Sequence, residues 1–339
     1  MSRLASEYVT KSWYQGALWL YLFFPFMCLY FLVIFVRRYL YQAKIFSSYR
    51  SELPVIIVGN ITVGGTGKSP LVAYLVNELV KQGYNPGIVS RGYGSSIQQN
   101  EVREVLTTSL AAEVGDEPLM LKRQLNCAVY VSPNRSLAVK ALADSQCDIV
   151  IADDGLQHYA LQRDIEICVV DGERAWGNAH LLPMGPLRES LSRLSSTDFV
   201  IINGESEGLS DLGVPSYVMN LVPDNLIKLE DNTSSLVSSF KADKVHAVAA
   251  IGNPERFFEA LESQGVEIIR HVFDDHHSYK QSDFDFDEPL SIIMTEKDAV
   301  KCRQLRVDGM WYLPVTAEIS GELAVQVVES LKSKGWLNG

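Results

Sequence analysis

A glycine-rich segment near the start of the chain, residues 54–69 (PVIIVGNITVGGTGKS), restricts the possible folds more than any other feature. Its first residues form an apolar run, and a helix-like stretch, residues 70–84, follows it. A strand, a glycine-rich loop, Lys-Ser and a helix in this order are typical of a phosphate-binding loop, where backbone N–H groups and a helix N-terminus face the phosphates. An ordinary turn between a strand and a helix is the alternative. The flanking pattern favours nucleotide binding.

The residue types within this loop indicate how a nucleotide would be held. Lys68 can reach the β- and γ-phosphates, and the Ser69 hydroxyl can bind Mg²⁺. The pattern G-x-x-x-x-G-K-[ST] is broken at its first glycine, because Thr62 stands there. We predict a nucleotide site formed by Thr62, Val63, Gly64, Gly65, Thr66, Gly67, Lys68 and Ser69.

The N-terminal region differs from the rest of the chain, because residues 17–36 form a run of twenty residues without a charge. This length matches a helix that crosses a bilayer. Basic residues follow at once, beginning with Arg37 and Arg38, and outnumber those before the run, which predicts a body on the cytoplasmic side. A helix lying in the membrane interface and a buried helix of a soluble core are the alternatives. We predict a membrane-attached protein.

Composition limits the other possibilities. A length of 339 residues predicts about two domains. The net charge of −11 argues against a nucleic-acid-binding surface, which is usually basic. The five cysteines are scattered without a C-x-x-C pair, which indicates reduced side chains rather than a disulfide framework or a metal site.

Apolar runs recur after the glycine-rich loop, with helical segments between them. Their continuous apolar character indicates strands that are buried on both faces, as in a parallel sheet. With the run at 54–58, the predicted strands are residues 85–90, 127–132, 148–153, 164–171 and 197–203. The fold class is therefore an α/β/α sandwich of the P-loop type, whose ligands bind beyond the carboxyl ends of the strands.

Polar residues follow these predicted strands where a ligand would bind. Arg91 follows the second strand, and Asp153 and Asp154 end the fourth, which is typical of a carboxylate that holds Mg²⁺. Asp-Asp-Gly is also a common turn sequence. A long loop after the next strand carries Arg188 and Glu189, and loops of this length are often functional.

Two further candidate functional features lie away from these strand ends. Asp116 lies where a helix begins, and from the residues alone an N-terminal capping role is favoured. Residues 274–279 (DDHHSY) group two histidines with two carboxylates. Adjacent residues rarely give tetrahedral metal geometry, so a histidine that acts as a base, or beside one, is the better interpretation.

The spacing of these elements predicts the domain organisation. Residues 217–230 form two alternating runs around Pro-Asp-Asn, which is typical of a β-hairpin. We predict a membrane-anchoring segment at 1–50, a nucleotide-binding domain at 51–214, a hairpin linker at 215–240 and a smaller α/β domain at 241–339.

Several motifs together resemble one family, the tetraacyldisaccharide 4′-kinases of Gram-negative bacteria. In chain order they are VGNITVGGTGKSP, SRGYG, VGDEP, ADDGLQH, GPLRES, AAIGNPERFF, DDHHSY and TEKDAVK. The resemblance spans nearly the whole chain. It implies ATP-dependent phosphorylation of the 4′-hydroxyl of a tetraacylated glucosamine disaccharide 1-phosphate, the lipid A precursor, at the cytoplasmic face of the inner membrane. It also implies two α/β/α domains with the active site in the cleft between them.

The resemblance also implies roles for single residues. Asp116 would be the base and His276 its partner. Lys68 and Ser69 would hold the phosphates and Mg²⁺, and Asp153 or Asp154 would complete the metal site. Glu189 is a further metal-site residue, and Arg91 or Arg188 would meet a phosphate. No nucleic acid and no obligate protein partner are expected.

Two alternative functions remain, and each differs from the lipid kinase in what receives the phosphoryl group. A membrane-tethered P-loop ATPase could act as a switch or assembly factor without any small-molecule acceptor. A switch needs no base for an acceptor proton, so the Asp116 and His276 motifs argue against it. A kinase for a soluble metabolite leaves the apolar N-terminal run without a purpose.

Overall fold

The structure, a computed structural model, describes residues 3–205, 209, 212–241 and 243–337. The strands are β1 (Val55–Gly59), β2 (Pro86–Ser90), β3 (Arg103–Glu104), β4 (Val129–Val131), β5 (Ile149–Asp153), β6 (Ile165–Asp171), β7 (Phe199–Asn203), β8 (Ser216–Pro223), β9 (Leu226–Lys228), β10 (Ser234–Ser235), β11 (Lys244–Ala249), β12 (Glu267–Val272), β13 (Ile292–Thr295), β14 (Met310–Leu313) and β15 (Val315–Ile319). The α-helices are α1 (Arg3–Gln15), α2 (Phe24–Gln42), α3 (Lys68–Lys81), α4 (Ala111–Val114), α5 (Asp116–Gln124), α6 (Arg135–Ala143), α7 (Glu255–Ser263), α8 (Glu296–Cys302) and α9 (Leu323–Ser333). Short 3₁₀ helices lie at Leu18–Phe23, Leu191–Ser196, Val237–Phe240 and Gln281–Phe284.

A nine-stranded sheet forms the first domain, in the order β15-β8-β7-β6-β1-β5-β2-β4-β3. The strands from β8 to β4 run parallel. Strands β1, β5 and β6 are buried at every position, because apolar clusters cover both faces of the sheet. This burial explains their continuous apolar sequences. The predicted α/β/α sandwich is confirmed.

The parallel arrangement decides where polar side chains meet. Strands β5, β1, β6 and β7 are consecutive neighbours in the sheet, so their carboxyl ends lie side by side. The phosphate loop follows β1, while Asp153, Asp171 and Asn203 end the other three strands. One edge of the sheet therefore collects the candidate functional residues.

A six-stranded sheet in the order β10-β9-β14-β13-β11-β12 forms the second domain. Strands β12, β11, β13 and β14 run parallel, while β9 and β10 are antiparallel additions at one side. Helix α7 supplies Phe257, Phe258 and Leu261 to one apolar cluster on this sheet. This domain is the smaller α/β unit that the sequence predicts.

The connection between the domains differs from the predicted hairpin. Strands β8 and β9 were expected to pair with each other, but they lie in different sheets. Strand β8 pairs with β15, and β9 pairs with β14, both antiparallel. The Asp224 N–H donates to the Pro314 carbonyl at 3.0 Å between the two pairs. Two long chain segments thus form one ribbon, and sequence spacing did not reveal the distant partner.

The C-terminal boundary of the second domain is also corrected. Strand β15 belongs to the larger sheet, and α9 buries Leu323, Val327 and Leu331 in a core cluster of the first domain. Residues 315–333 therefore return to the first domain. The apolar face of α9 indicates a buried helix, but nothing in its pattern shows which sheet it covers.

The apolar N-terminal run forms the 3₁₀ helix Leu18–Phe23 and then α2, with Pro25 in its first turn, where proline is tolerated. Together they are long and apolar enough to cross a membrane, although one such helix near an N-terminus is weak evidence by itself. Only 6% of the most apolar window is buried. Met27, Tyr30 and Ile34 pack on the first domain, and the rest of the helix is largely exposed.

We predict that Leu331→Ala destabilises the protein, because Leu331 is fully buried against the first domain. The expected loss in the free energy of unfolding is about 2–5 kcal/mol. Val325, which is 40% exposed on the same helix, supplies the matched control Val325→Ala. Urea unfolding in detergent measures both variants. Equal stabilities of the two variants would contradict the docking of α9.

Candidate active site

The phosphate loop links β1 to α3, and its glycines are required by geometry. Gly67 has φ of 91° and stands immediately before Lys68, the first residue of α3. A Cβ atom at Gly67 would lie 2.6 Å from Nδ2 of Asn203, which no side chain tolerates. Gly64 has φ of 107°, a conformation that favours glycine. The loop thus presents backbone N–H groups at the N-terminus of a fourteen-residue helix.

Two side chains brace this loop from neighbouring strands. Asn203 donates from Nδ2 to the Thr66 carbonyl at 3.1 Å. Arg174 donates to the Gly65 carbonyl, and its Nε also donates to Asp171 at 3.1 Å. The loop is therefore held by side chains at the ends of β6 and β7. Sequence analysis missed both bracing residues.

Asp154 lies among cations at the end of β5. Its Oδ1 is 3.5 Å from Nζ of Lys68, and its Oδ2 is 3.4 Å from Arg188. The buried Arg135 donates to its backbone carbonyl at 2.6 Å. Burial alone would raise the pKa of Asp154, but Lys68 and the two arginines outweigh it and lower that pKa. Asp154 is therefore an ionised carboxylate beside the phosphate loop.

Asp153, in contrast, is buried without a side-chain partner. Neither of its carboxyl oxygens has a hydrogen-bond partner in the part of the chain that the structure describes. Burial raises its pKa to about 7, the charge on Glu117 adds to the rise, and Lys68 opposes it. A buried carboxylate without a partner is costly, and a divalent cation would compensate it. The residues at this position therefore fit Mg²⁺.

The number of protein ligands also fits magnesium. Among the described residues, no three His, Cys, Asp or Glu side chains form a metal cluster. Mg²⁺ is commonly held by one or two carboxylates together with nucleotide phosphates and water, so a protein cage is not needed.

Glu189 has protein partners for its carboxylate. Gln157 donates to its Oε2 at 3.1 Å, and Tyr159 donates to its Oε1. Arg193 lies 3.6 Å from Oε2. This buried group is therefore tied to the segment that follows β5, and the sequence did not indicate Tyr159 or Arg193.

Asp116 and His276 meet although 160 residues separate them in the sequence. Nδ1 of His276 lies 2.9 Å from Oδ2 and 3.1 Å from Oδ1 of Asp116. Asp116 is the first residue of α5 and follows Gly115, whose φ is 94°. His276 has φ of 62° and packs against the Tyr93 ring, with 4.8 Å between the ring centroids. The contact joins the two domains.

Asp116 and His276 each shift the pKa of the other. Burial would raise the pKa of Asp116, but the hydrogen bond from His276 and the charge of Lys297 lower it. Burial would lower the pKa of His276, but the hydrogen bond to Asp116 raises it. Each shift favours the ionised form of its own group, so the hydrogen bond stabilises a charge on either partner.

Lys297, from the TEKD motif, completes the contact between domains. Its Nζ lies 2.9 Å from Glu117 and 3.2 Å from Asp275. In the sequence, TEKDAVK is one of the motifs that resemble the family, and by itself it gave no role for Lys297.

One cavity of 1910 Å³ connects these groups. It lies between the domains, and α2 contributes Tyr30, Val33, Ile34 and Arg37 to its wall. Among the predicted site residues, its lining includes Val63, Gly64, Gly65, Thr66, Gly67, Lys68, Ser69, Arg91, Asp154, Glu189 and His276.

Three predicted site residues do not line this cavity. Asp153 lies beneath the surface at the end of β5, and Asp116 contacts the cavity through His276. Thr62 is buried, and its backbone bridges to Leu187. Thr62 therefore supports the loop from behind, and its nucleotide contact stays a prediction.

Comparisons with known proteins agree with one another. A family model described as tetraacyldisaccharide-1-P 4′-kinase matches residues 19–332. A tetraacyldisaccharide 4′-kinase of Methylobacillus flagellatus is 42% identical, with 98% of both chains covered. That of Tolumonas auensis is 46% identical over 96% of this chain and 97% of its own. The crystal structure of the "apo" form of LpxK from Aquifex aeolicus in complex with ATP matches with a TM-score of 0.76 and 27% identity, covering 92% of this chain and 99% of that chain.

We predict that the pKa of His276 lies above its ordinary value of 6.5 and falls below it in Asp116→Asn, because burial then dominates. Imidazole ¹⁵N NMR measures both values, and His276→Gln assigns the signal. By linkage, the pair stabilises the folded state below about pH 6.5, and this contribution is lost as pH rises through the raised pKa. An unchanged pKa in Asp116→Asn would contradict the pairing.

Proposed function

This chain belongs to the tetraacyldisaccharide 4′-kinase family, and from that premise we propose which of its residues carry out the reaction. The enzyme transfers a phosphoryl group from ATP to the 4′-hydroxyl of a tetraacyldisaccharide 1-phosphate in lipid A biosynthesis. The observation that carries the assignment of roles is the hydrogen bond between Asp116 and His276, beside the cavity that also holds the phosphate loop.

The acceptor hydroxyl must lose a proton, and the Asp116–His276 pair is placed to receive it when the imidazole of His276 is neutral. His276 lines the cavity, while Asp116 lies behind it with 5% of its surface exposed. Since the two groups share a hydrogen bond and shift each other's pKa, they titrate and act as a unit. Lys297 and Asp275 hold the pair in place from the second domain. General base catalysis of this kind needs exactly such a positioned acceptor.

The phosphate end of the cavity supplies charge neutralisation. Lys68 and the N–H groups of residues 63–69 would hold the β- and γ-phosphates, with Arg91 and Arg188 contributing further positive charge. Asp153 and Asp154 would hold Mg²⁺ with the Ser69 hydroxyl, and Glu189 would orient this region through Gln157. When bound, the metal ion neutralises phosphate charge. The oxygens of Asp153, which have no hydrogen-bond partner among the described residues, support this assignment.

We also propose that α2 attaches the enzyme to the inner membrane with the two domains on the cytoplasmic side. The helix exposes Leu29, Leu32 and Phe35, while its opposite side packs on the first domain and lines the cavity. A lipid with four acyl chains leaves a bilayer reluctantly, because each buried CH₂ contributes about 0.8 kcal/mol. A cavity bordered by the membrane helix would receive the headgroup without extracting the chains.

We predict that Asp116→Asn lowers kcat for phosphoryl transfer by about 10²–10⁴-fold, because the pair loses its negative charge. The assay follows label from γ-labelled ATP to tetraacyldisaccharide 1-phosphate with Mg²⁺ in detergent. Glu113→Gln, on the exposed neighbouring helix α4, is the matched control and should transfer label normally. Near-normal transfer by Asp116→Asn would reduce Asp116 to a structural role. ATP hydrolysis that the lipid does not affect, without labelled lipid, would favour a switch.

We predict that Leu29→Arg combined with Leu32→Arg releases the protein from membranes. Both side chains are more than half exposed on α2, and an arginine near a bilayer centre costs about 2.5–3.5 kcal/mol. Flotation with liposomes of inner-membrane lipids measures the bound fraction. Val325→Arg places a charge on the exposed face of α9 and should leave flotation unchanged. If the double variant floats like the wild type, α2 is not the anchor.

A further inference from the structure

Arg256 extends from α7 of the second domain to the end of the first sheet. Its Nη2 lies 3.0 Å from Oδ1 of Asp171 and 3.4 Å from the carbonyl oxygen of Asn203. These two residues end the neighbouring strands β6 and β7. The arginine is about one-quarter exposed, and the Asp171 side chain is buried. A charged pair with one member buried in this way is a specific contact between the domains.

Both targets of Arg256 also brace the phosphate loop. Asp171 orients Arg174 through contacts at 3.0 and 3.1 Å, and Arg174 donates to the Gly65 carbonyl. Asn203 donates from its side chain to the Thr66 carbonyl at 3.1 Å. A single guanidinium in the second domain thus contacts Asp171, which holds one bracing side chain, and the backbone of Asn203, which carries the other.

The backbones of the two domains also meet at this point. A Cβ atom placed on Gly252 would lie 2.7 Å from the backbone nitrogen of Gly65. This segment, which precedes α7, therefore touches the phosphate loop directly. Withdrawal of the second domain at this point would remove both this contact and the Arg256 guanidinium on Asp171.

We propose that Arg256 is a positioning residue that couples closure of the second domain to the conformation of the phosphate loop. Closure brings Arg256 to Asp171 and Asn203, so the loop carbonyls at Gly65 and Thr66 are held when His276 reaches Asp116. The phosphate cradle and the proton acceptor are then completed by the same movement. An arginine suits this task, because its Nη2 carries two N–H groups and can donate to both oxygens. The proposal rests on the assignment of this loop to the ATP phosphates.

The test compares Arg256→Ala and Arg256→Lys with Arg270→Ala. Arg270 also contacts α7, through Glu255 and Glu262, but those ion pairs lie within the second domain. The first readout is kcat and the KM for ATP in the transfer assay. The second is amide hydrogen exchange of peptides covering residues 60–68 and 255–263, measured without lipid, so that it does not depend on the reaction.

We expect kcat/KM for ATP to fall by about tenfold to about a hundredfold in Arg256→Ala, as for the loss of a contacting charged pair. Arg256→Lys should recover only part of this loss. In Arg256→Ala, amide exchange should increase in peptide 60–68 and stay unchanged in peptide 255–263. Arg270→Ala should leave both kcat/KM and amide exchange of peptide 60–68 unchanged.

Two results would overturn the proposal. One is normal loop exchange in both Arg256 variants, whatever their activity. The other is faster exchange in peptide 255–263 with the loop unaffected, because Arg256 would then only stabilise its own domain. If Arg256→Ala does not fold, the same comparisons with Arg256→Lys decide the question. A wild-type protein without transfer activity would refute the proposed function, while loop exchange would still test Arg256.

Discussion

The hydrogen bond between Asp116 and His276 is the interaction on which the rest of the architecture converges. It requires α5 to begin at the cavity, where Gly115 adopts a backbone conformation that other residues avoid. It requires the second domain to bring a histidine with φ of 62° to the same point. Lys297 then links Glu117 and Asp275 around the pair. Neither domain alone contains this acceptor, so the chemistry depends on how the domains sit together.

The charge around the phosphate loop is opposite in sign to the net charge of the chain. The chain carries a net charge of −11, yet Lys68, Arg135 and Arg188 surround Asp154 beside the phosphate loop. His158 shows the strength of this local field, because burial first, and then Arg135 and other arginines, lower its pKa to about 3. An anionic nucleotide and an anionic lipid can therefore bind a protein whose total charge would repel them. Local placement of charge matters for this binding, while the net charge only argues against a nucleic-acid-binding surface.

Much of the first domain could be predicted from sequence, because buried parallel strands leave continuous apolar runs and their carboxyl ends collect ligand-binding residues. Lys68, Asp154 and Arg91 were predicted at this edge in this way, and all three line the cavity. The partners of β8 and β9 could not be predicted, since pairing with strands almost a hundred residues away leaves no local pattern. Asp116 illustrates the same limit: its position at a helix start indicates a cap, and only family resemblance or the fold connects it with His276. Arg174 lies in the long loop that was expected to be functional, but no sequence pattern indicated its contact with Gly65 or the contacts of Arg256.

The ribbon of β8–β9 against β15–β14 has a consequence for how this protein is built. The chain leaves the nucleotide-binding unit at Pro223 and re-enters it at Val315, and these two residues are paired neighbours. The second domain is therefore an insertion within the chain of the first domain. A short turn between Pro223 and Val315 could join the two ends of the first domain without stretching its backbone. The two sheets are thus separable in topology, whereas the Asp116–His276 pair needs both of them.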